Sequence, residues 1–165
     1  MIVETTEDGL RVTLHSEEET ERLGRAIAGI AEPGMVIGLI GTLGAGKTRL
    51  VRAIAENLGV DPTAISSPTF VLIHEYEGTM PIFHFDVYRL GSPGEFEDLG
   101  AADYWQAGGL CLVEWADRVR ELMPPTAWFI TIDLLDATAR QARIRVPMTM
   151  TDRARVSKLT ERLQG

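Results

Sequence analysis

Residues 41–48 read Gly-Thr-Leu-Gly-Ala-Gly-Lys-Thr, a full match to G-x-x-x-x-G-K-[ST]. The chemistry of that spacing is phosphate binding. Gly41, Gly44 and Gly46 permit backbone angles and close approaches that side chains block. The loop N–H groups then converge on phosphate oxygens at the positive end of the following helix. The nucleotide-binding set expected from this is Gly41, Thr42, Leu43, Gly44, Ala45, Gly46, Lys47, Thr48 and Arg49. Lys47 is expected to neutralise the β- and γ-phosphates of ATP catalytically, and the Thr48 hydroxyl to ligate Mg²⁺. A glycine-rich turn with a chance lysine is the bland alternative. An apolar run before the motif and a helical pattern after it weigh against that.

Such a loop needs a carboxylate at the end of a neighbouring buried strand to orient the metal's ligand shell. Glu114 follows the apolar run Leu110 to Val113 and is the candidate metal ligand; a solvated strand end is the alternative. Asp86, in His84-Phe85-Asp86-Val87-Tyr88-Arg89, ends another apolar strand and is the candidate catalytic carboxylate, placed to orient the attacking water. Its alternative is a turn cap or a salt bridge to Arg89. Ser67 and Thr69, around the stiffening Pro68, offer hydroxyls to the metal or γ-phosphate as nucleotide-switch segments do. A strand-initiating turn fits them nearly as well. His84, between Phe83 and Phe85, reads as a hydrogen-bonded sheet residue, and His15 and His74 lack metal-ligand spacing with it. Cys111 reads as core filler. Trp115 is a lid, a partner contact or packing.

These residues require elements to hold them. Leu10 to Leu14 alternates as a half-buried strand does. Ser16 is placed as an N-cap before Glu17, Glu18 and Glu19, a solvated acidic helix start, and the periodicity predicts a helix over Glu17 to Ile30, ended by Pro33-Gly34. Met35 to Ile40 is a buried parallel strand, and Lys47 to Leu58 a helix stopped at Gly59. Phe70 to Tyr76 and Pro81 to Tyr88 form a hairpin. A helix follows near Glu95 to Trp105, then strands at Leu110 to Val113, Trp128 to Leu134 and Ala142 to Val146. The tail, Asp152 to Leu163, is an outer helix. The fold expected is α/β, P-loop NTPase-like, with a largely parallel central sheet flanked by helices and an added β-hairpin.

Bulk properties bound the function. A chain of 165 residues with 45% hydrophobic content suits a single domain over residues 1–165. A net charge of −8 disfavours extensive direct contact with a nucleic-acid backbone. The one cysteine fits a reducing compartment. The N-terminus lacks the pattern of a signal peptide, and no apolar run is long enough to span a bilayer, so the expectation is cytoplasmic with no membrane contact.

Taken together, GTLGAGKT, SSPTF at residues 66–70, HFDVYRL at residues 84–90 and LVEWADR at residues 112–118 resemble the TsaE (YjeE) family. The resemblance runs from the first helix to about Val146. It implies an Mg-dependent ATPase, weak alone, working with TsaD-like and TsaB-like proteins that form N6-threonylcarbamoyladenosine at adenosine 37 of tRNAs, with the tRNA met mainly through the complex. It places Thr48 and Glu114 at the magnesium, Asp86 in hydrolysis, Ser67, Pro68 and Thr69 in a switch-like segment, and Trp115 beside the metal glutamate. It also makes Glu17 a candidate near the adenine. One departure stands out: the family usually has Asp at the second loop position, where this chain has Thr42. Two other classes compete, a small-molecule kinase with Asp86 as base and a nucleotide-binding adaptor that does not hydrolyse. A GTPase is disfavoured by the absence of an N-K-x-D motif.

Overall fold

Strands with unbroken apolar runs and strands with alternating ones take different places in a sheet, because only central strands are covered on both faces. A computed structural model of the chain, describing residues 1–65 and 72–165, follows that division. The elements in order are β1 (Ile2–Thr6), β2 (Gly9–Leu14), α1 (Glu17–Ala28), β3 (Val36–Ile40), α2 (Lys47–Asn57), β4 (Ile73–Glu77), β5 (Pro81–Asp86), α3 (Pro93–Asp98), α4 (Ala101–Trp105), β6 (Leu110–Glu114), a 3-10 helix Ala116–Leu122, β7 (Trp128–Leu134), β8 (Arg140–Arg145) and α5 (Met150–Gln164). Among the described residues these strands form one eight-stranded sheet in the order β1-β2-β8-β7-β3-β6-β5-β4.

The centre, β7-β3-β6-β5, is parallel. Antiparallel pairings extend it on both sides, through β8, β2 and β1 on one and through β4 on the other. The expected α/β arrangement is therefore present as a mixed sheet: parallel where the phosphate loop leaves it, antiparallel at its margins. Apolar β3 and β6 sit side by side in the middle, and every residue of β6 is buried.

Helices cover both faces. On one face α1, α2 and α5 bury Leu23, Ile27, Leu50, Ile54 and Leu159 against Leu10, Val12, Ile37 and Leu39. On the other, α3, α4 and the 3-10 helix bury Phe96 and Val119 against Phe83, Phe85, Cys111 and Val113. Cys111 is core, as expected, and burial pushes its thiol up to about 12. Ser16 caps α1, its Oγ accepting the Glu19 N–H at 3.3 Å. Close packing of α1 on α2 uses Gly24, where a Cβ would lie 2.5 Å from the Ala53 Cβ.

Several expectations are corrected. The first helix ends at Ala28, capped by Gly29, before Pro33-Gly34 is reached. The helix expected over Glu95 to Trp105 is two short ones, because Gly100 takes a left-handed φ of 72° between them. Strand β1 and the 3-10 helix had no expected counterpart. The hairpin is present as β4 and β5, with its first strand beginning at Ile73. The Phe70 and Val71 part of that expectation lies outside the described residues. The tail helix starts at Met150, where Thr149 and Asp152 form a capping box. No helix among the described residues is long and apolar enough to cross a membrane.

Candidate functional site

The loop at residues 41–46 leaves the C-terminal end of β3, where a parallel sheet opens its ligand crevice. Two glycines are required there by geometry. A Cβ on Gly41 would lie 2.6 Å from the Ile132 carbonyl oxygen on β7, so the chain passes hard against its neighbour. Gly46 has φ 110° and begins α2 with no side-chain cap among the described residues, so the first helical N–H groups are available to a ligand. Lys47, almost fully buried, folds back over the loop: its Nζ donates to Gly41 O at 2.7 Å and Thr42 O at 2.9 Å. The same Nζ sits 3.9 Å from the centre of the Trp115 ring. Burial lowers the Lys47 pKa, against the opposing pull of Glu114, Asp86 and Asp117.

The carboxylates come from adjacent parallel strands. Asp86 and Glu114 are register partners on β5 and β6, and strand alternation puts both on the face that carries α2. Glu114 is 1% exposed. Burial raises its pKa, but the His84 imidazole, the Thr48 hydroxyl and the Lys47 ammonium outweigh that, and the net direction is downward. Asp86 is half-buried, and its pKa is raised by burial first; the Tyr88 N–H opposes, donating to Asp86 Oδ1 at 2.9 Å, and the Glu114 charge adds to the rise. The turn-cap reading of Asp86 is therefore realised alongside its place in the cleft.

A divalent cation fits this donor set. Glu114 Oε1 is buried with no hydrogen-bond partner among the described residues, and the Thr48 hydroxyl interacts with the same carboxylate. Among the described residues no group of three or more His, Cys, Asp or Glu is arranged for a metal. Few protein oxygens, completed by phosphate and water, is what Mg²⁺ prefers over a protein-only cage.

The sequence profile described as "Threonylcarbamoyl adenosine biosynthesis protein TsaE" matches residues 14–144. The chain belongs to the TsaE family. This TsaE-family chain is 45% identical over 108 residues to the tRNA threonylcarbamoyladenosine biosynthesis protein TsaE of Bacillus subtilis, covering 65% of this chain and 66% of that one. It is 38% identical over 125 residues to the protein of the same name from Treponema pallidum, covering 76% and 90%. With its Aquifex aeolicus namesake it shares 39% identity over 135 residues, covering 81% and 93%. A crystal structure of Bacillus subtilis YdiB superposes with a TM-score of 0.73 at 32% identity, covering 99% of this chain and 97% of that one.

The TsaE-family fold gathers most of the expected residues around one cleft of about 350 Å³: Glu17, Leu43, Gly44, Gly46, Lys47, Thr48, Arg49, Asp86 and Glu114 all line it. Gly41 and Thr42 contribute through their carbonyls to Lys47, and Ala45 is buried beneath the loop. The backbone oxygen of Thr42 holds the lysine, a role independent of its side chain. Glu17 is exposed at the start of α1, as expected of a solvated helix start, and its carboxylate also pairs with Arg49 in the first turn of α2 at 3.0 Å. Ser67, Pro68 and Thr69 lie outside the described residues.

Sequence reasoning gave no site role to Arg140, Tyr88 or Thr20, which also line the cleft. Arg140 reaches from β8 to brace the loop, its Nε donating to Ala45 O at 3.0 Å. No motif marks it; only the return of β8 beside β7 brings it there. Tyr88 packs against Trp115, the ring centres 4.7 Å apart and the planes tilted by 41°. Trp115 itself takes a left-handed φ of 62°, unusual for a large side chain, and lies over Lys47. His84 departs from its expected reading: it is a sheet residue, but neither ring nitrogen has a hydrogen-bond partner among the described residues.

Proposed function

We propose that this chain binds and hydrolyses ATP as the nucleotide-driven subunit of an assembly with TsaB-like and TsaD-like proteins, which forms N6-threonylcarbamoyladenosine at adenosine 37 of tRNAs in the cytoplasm. The observation that carries the reading is the convergence of Lys47 and Thr48 with two adjacent carboxylates, Asp86 and Glu114, at the ends of neighbouring parallel strands. Family membership supports the pathway.

In this reading residues 41–49 wrap the phosphates, the open N–H groups of α2 meeting their oxygens. Lys47 leaves the carbonyls of Gly41 and Thr42 and turns to the β- and γ-phosphates. Thr48 and Glu114 would hold magnesium, which supplies positive charge beside those phosphates. Asp86, its pKa raised by burial, is suited to accept a proton from the attacking water. The water oxygen bonds to the γ-phosphorus, the bond to the bridging oxygen breaks, and ADP leaves with its new charge met by Lys47 and the loop. Glu17 and Arg49 line the cleft wall where α1 meets α2, the side on which the nucleoside would rest. Ser67 and Thr69 remain proposed contacts of the metal or γ-phosphate, and residues 1–165 a single domain.

Lys47→Ala is expected to abolish ATP binding by calorimetry in the presence of Mg²⁺; retained micromolar binding would overturn the nucleotide reading. For the assembly, the test is tRNA modification by TsaB and TsaD with and without this protein. Stimulation over multiple turnovers is expected, and its absence counts against the role. Label from γ-labelled ATP appearing on a metabolite instead of as inorganic phosphate would favour a kinase.

A further inference from the structure

Behind Glu114, away from the phosphate loop, lies His84. It sits on β5 two residues before Asp86 and on the same face, and it is wholly buried. Its neighbours across the strands are His74 on β4 and Leu112 on β6, with the Tyr76 ring centre 6.2 Å away. Neither Nδ1 nor Nε2 has a hydrogen-bond partner among the described residues. Leaving such groups unsatisfied costs about 1–3 kcal/mol each, and an aliphatic side chain beside Ile82 and Leu112 would avoid that cost. A polar atom faces His84 at short range: Nε2 is 3.8 Å from Glu114 Oε1, which is equally buried and, among the described residues, equally without a hydrogen-bond partner. An approach of roughly 1 Å brings the two to hydrogen-bond distance.

We propose that His84 is the positioning residue of Glu114. The imidazole carries a proton on Nε2 and donates it to Oε1 when the cleft is loaded. Oε1 is thereby fixed, and the rest of the carboxylate is held toward Thr48 and the cation. A backing hydrogen bond of this kind orients a ligating carboxylate and is worth about 10–100-fold in metal affinity. The inference rests on the assignment of Glu114 to the metal.

Two measurements test it. In histidine-labelled protein without nucleotide, nitrogen NMR identifies the tautomer of each of the three histidines, with His84 assigned by its loss in His84→Leu. Protonation at Nε2 is expected, whereas a ring protonated at Nδ1 alone overturns the proposal. This arm needs no ATPase activity, so it stands apart from the functional reading. The second measurement is ATP affinity by calorimetry with Mg²⁺ and with chelator. His84→Leu is expected to lose about 10-fold with Mg²⁺ and to change little with chelator. His84→Gln, whose amide nitrogen reaches the place of Nε2, should restore most of the loss, and His84→Asn, which is too short, should not. Equal effects in both arms, or no rescue by glutamine, assign His84 a packing role only. If Lys47→Ala and the native protein bind ATP alike, the nucleotide reading fails while the tautomer result still stands.

Discussion

At Asp86 the demands of folding and chemistry oppose each other. Burial, reinforced by Glu114 and opposed by the Tyr88 N–H, raises the pKa of this half-buried carboxyl above its ordinary value. The folded chain therefore holds the proton more tightly than the unfolded one. Stability at this residue is lost as pH rises from the unfolded value near 3.9 through the folded one, so at neutral pH the charge opposes folding. Asp86→Asn is expected to melt higher than the native protein at pH 7, with the difference vanishing at pH 3, while hydrolysis in the reconstituted complex falls about 100-fold or more. Thermal unfolding across pH, paired with phosphate release, checks both halves. At the same scale Glu114 moves the other way, downward, because His84, Thr48 and Lys47 surround it. Two neighbouring carboxylates whose environments push them apart suit the proposed division of labour between metal ligand and base.

At the scale of elements, α5 is fastened by one buried carboxylate. Asp152 accepts hydrogen bonds from the Thr149 N–H and hydroxyl through Oδ2, and from Trp128 Nε1 at 2.9 Å through Oδ1. Burial would raise its pKa, but these donors prevail and lower it. Its contribution is present above the unfolded pKa and is lost as pH falls through the folded one. Asp152→Ala is expected to cost about 1–3 kcal/mol in urea unfolding at pH 7, and less in acid. How far the elements could be read in advance follows from what encodes them. The apolar runs of β3 and β6 and the loop between β3 and α2 are written in local pattern, and Lys47, Thr48, Asp86 and Glu114, which those patterns mark, line one cleft. β1 has no local signature because it is an edge strand, held by backbone pairing to β2, with apolar Ile2 on the exposed side and Thr5 exposed where alternation would turn it inward. Arg140 was missed because its place is fixed by the return of β8 to β7, a long-range pairing without a local signature. The orphaned Nε2 of His84 is likewise a fact of packing between strands.

At the scale of the whole molecule, charge decides the company it keeps. With a net −8 the chain repels a phosphodiester backbone, so the isolated protein is expected to show no tRNA binding tighter than about 100 μM at physiological salt. Fluorescence anisotropy with labelled tRNA measures this; submicromolar binding would mean that the protein itself carries a site for the substrate. Bound tRNA is instead expected only once the partner proteins are added.

Three indoles are distributed through this molecule in unlike surroundings. Trp128 is locked in the core to Asp152, and Trp105 leans on Phe85 and Phe96. Trp115 alone of the three rests against the ammonium of Lys47, the group proposed to turn toward the phosphates of a bound nucleotide. On that proposal Trp115 would act as a built-in optical reporter of occupancy. Intrinsic emission is expected to change on adding ATP in the native protein and in Trp105→Phe, and to stay silent in Trp115→Phe. Stopped-flow mixing would then time the lysine's departure without any attached dye.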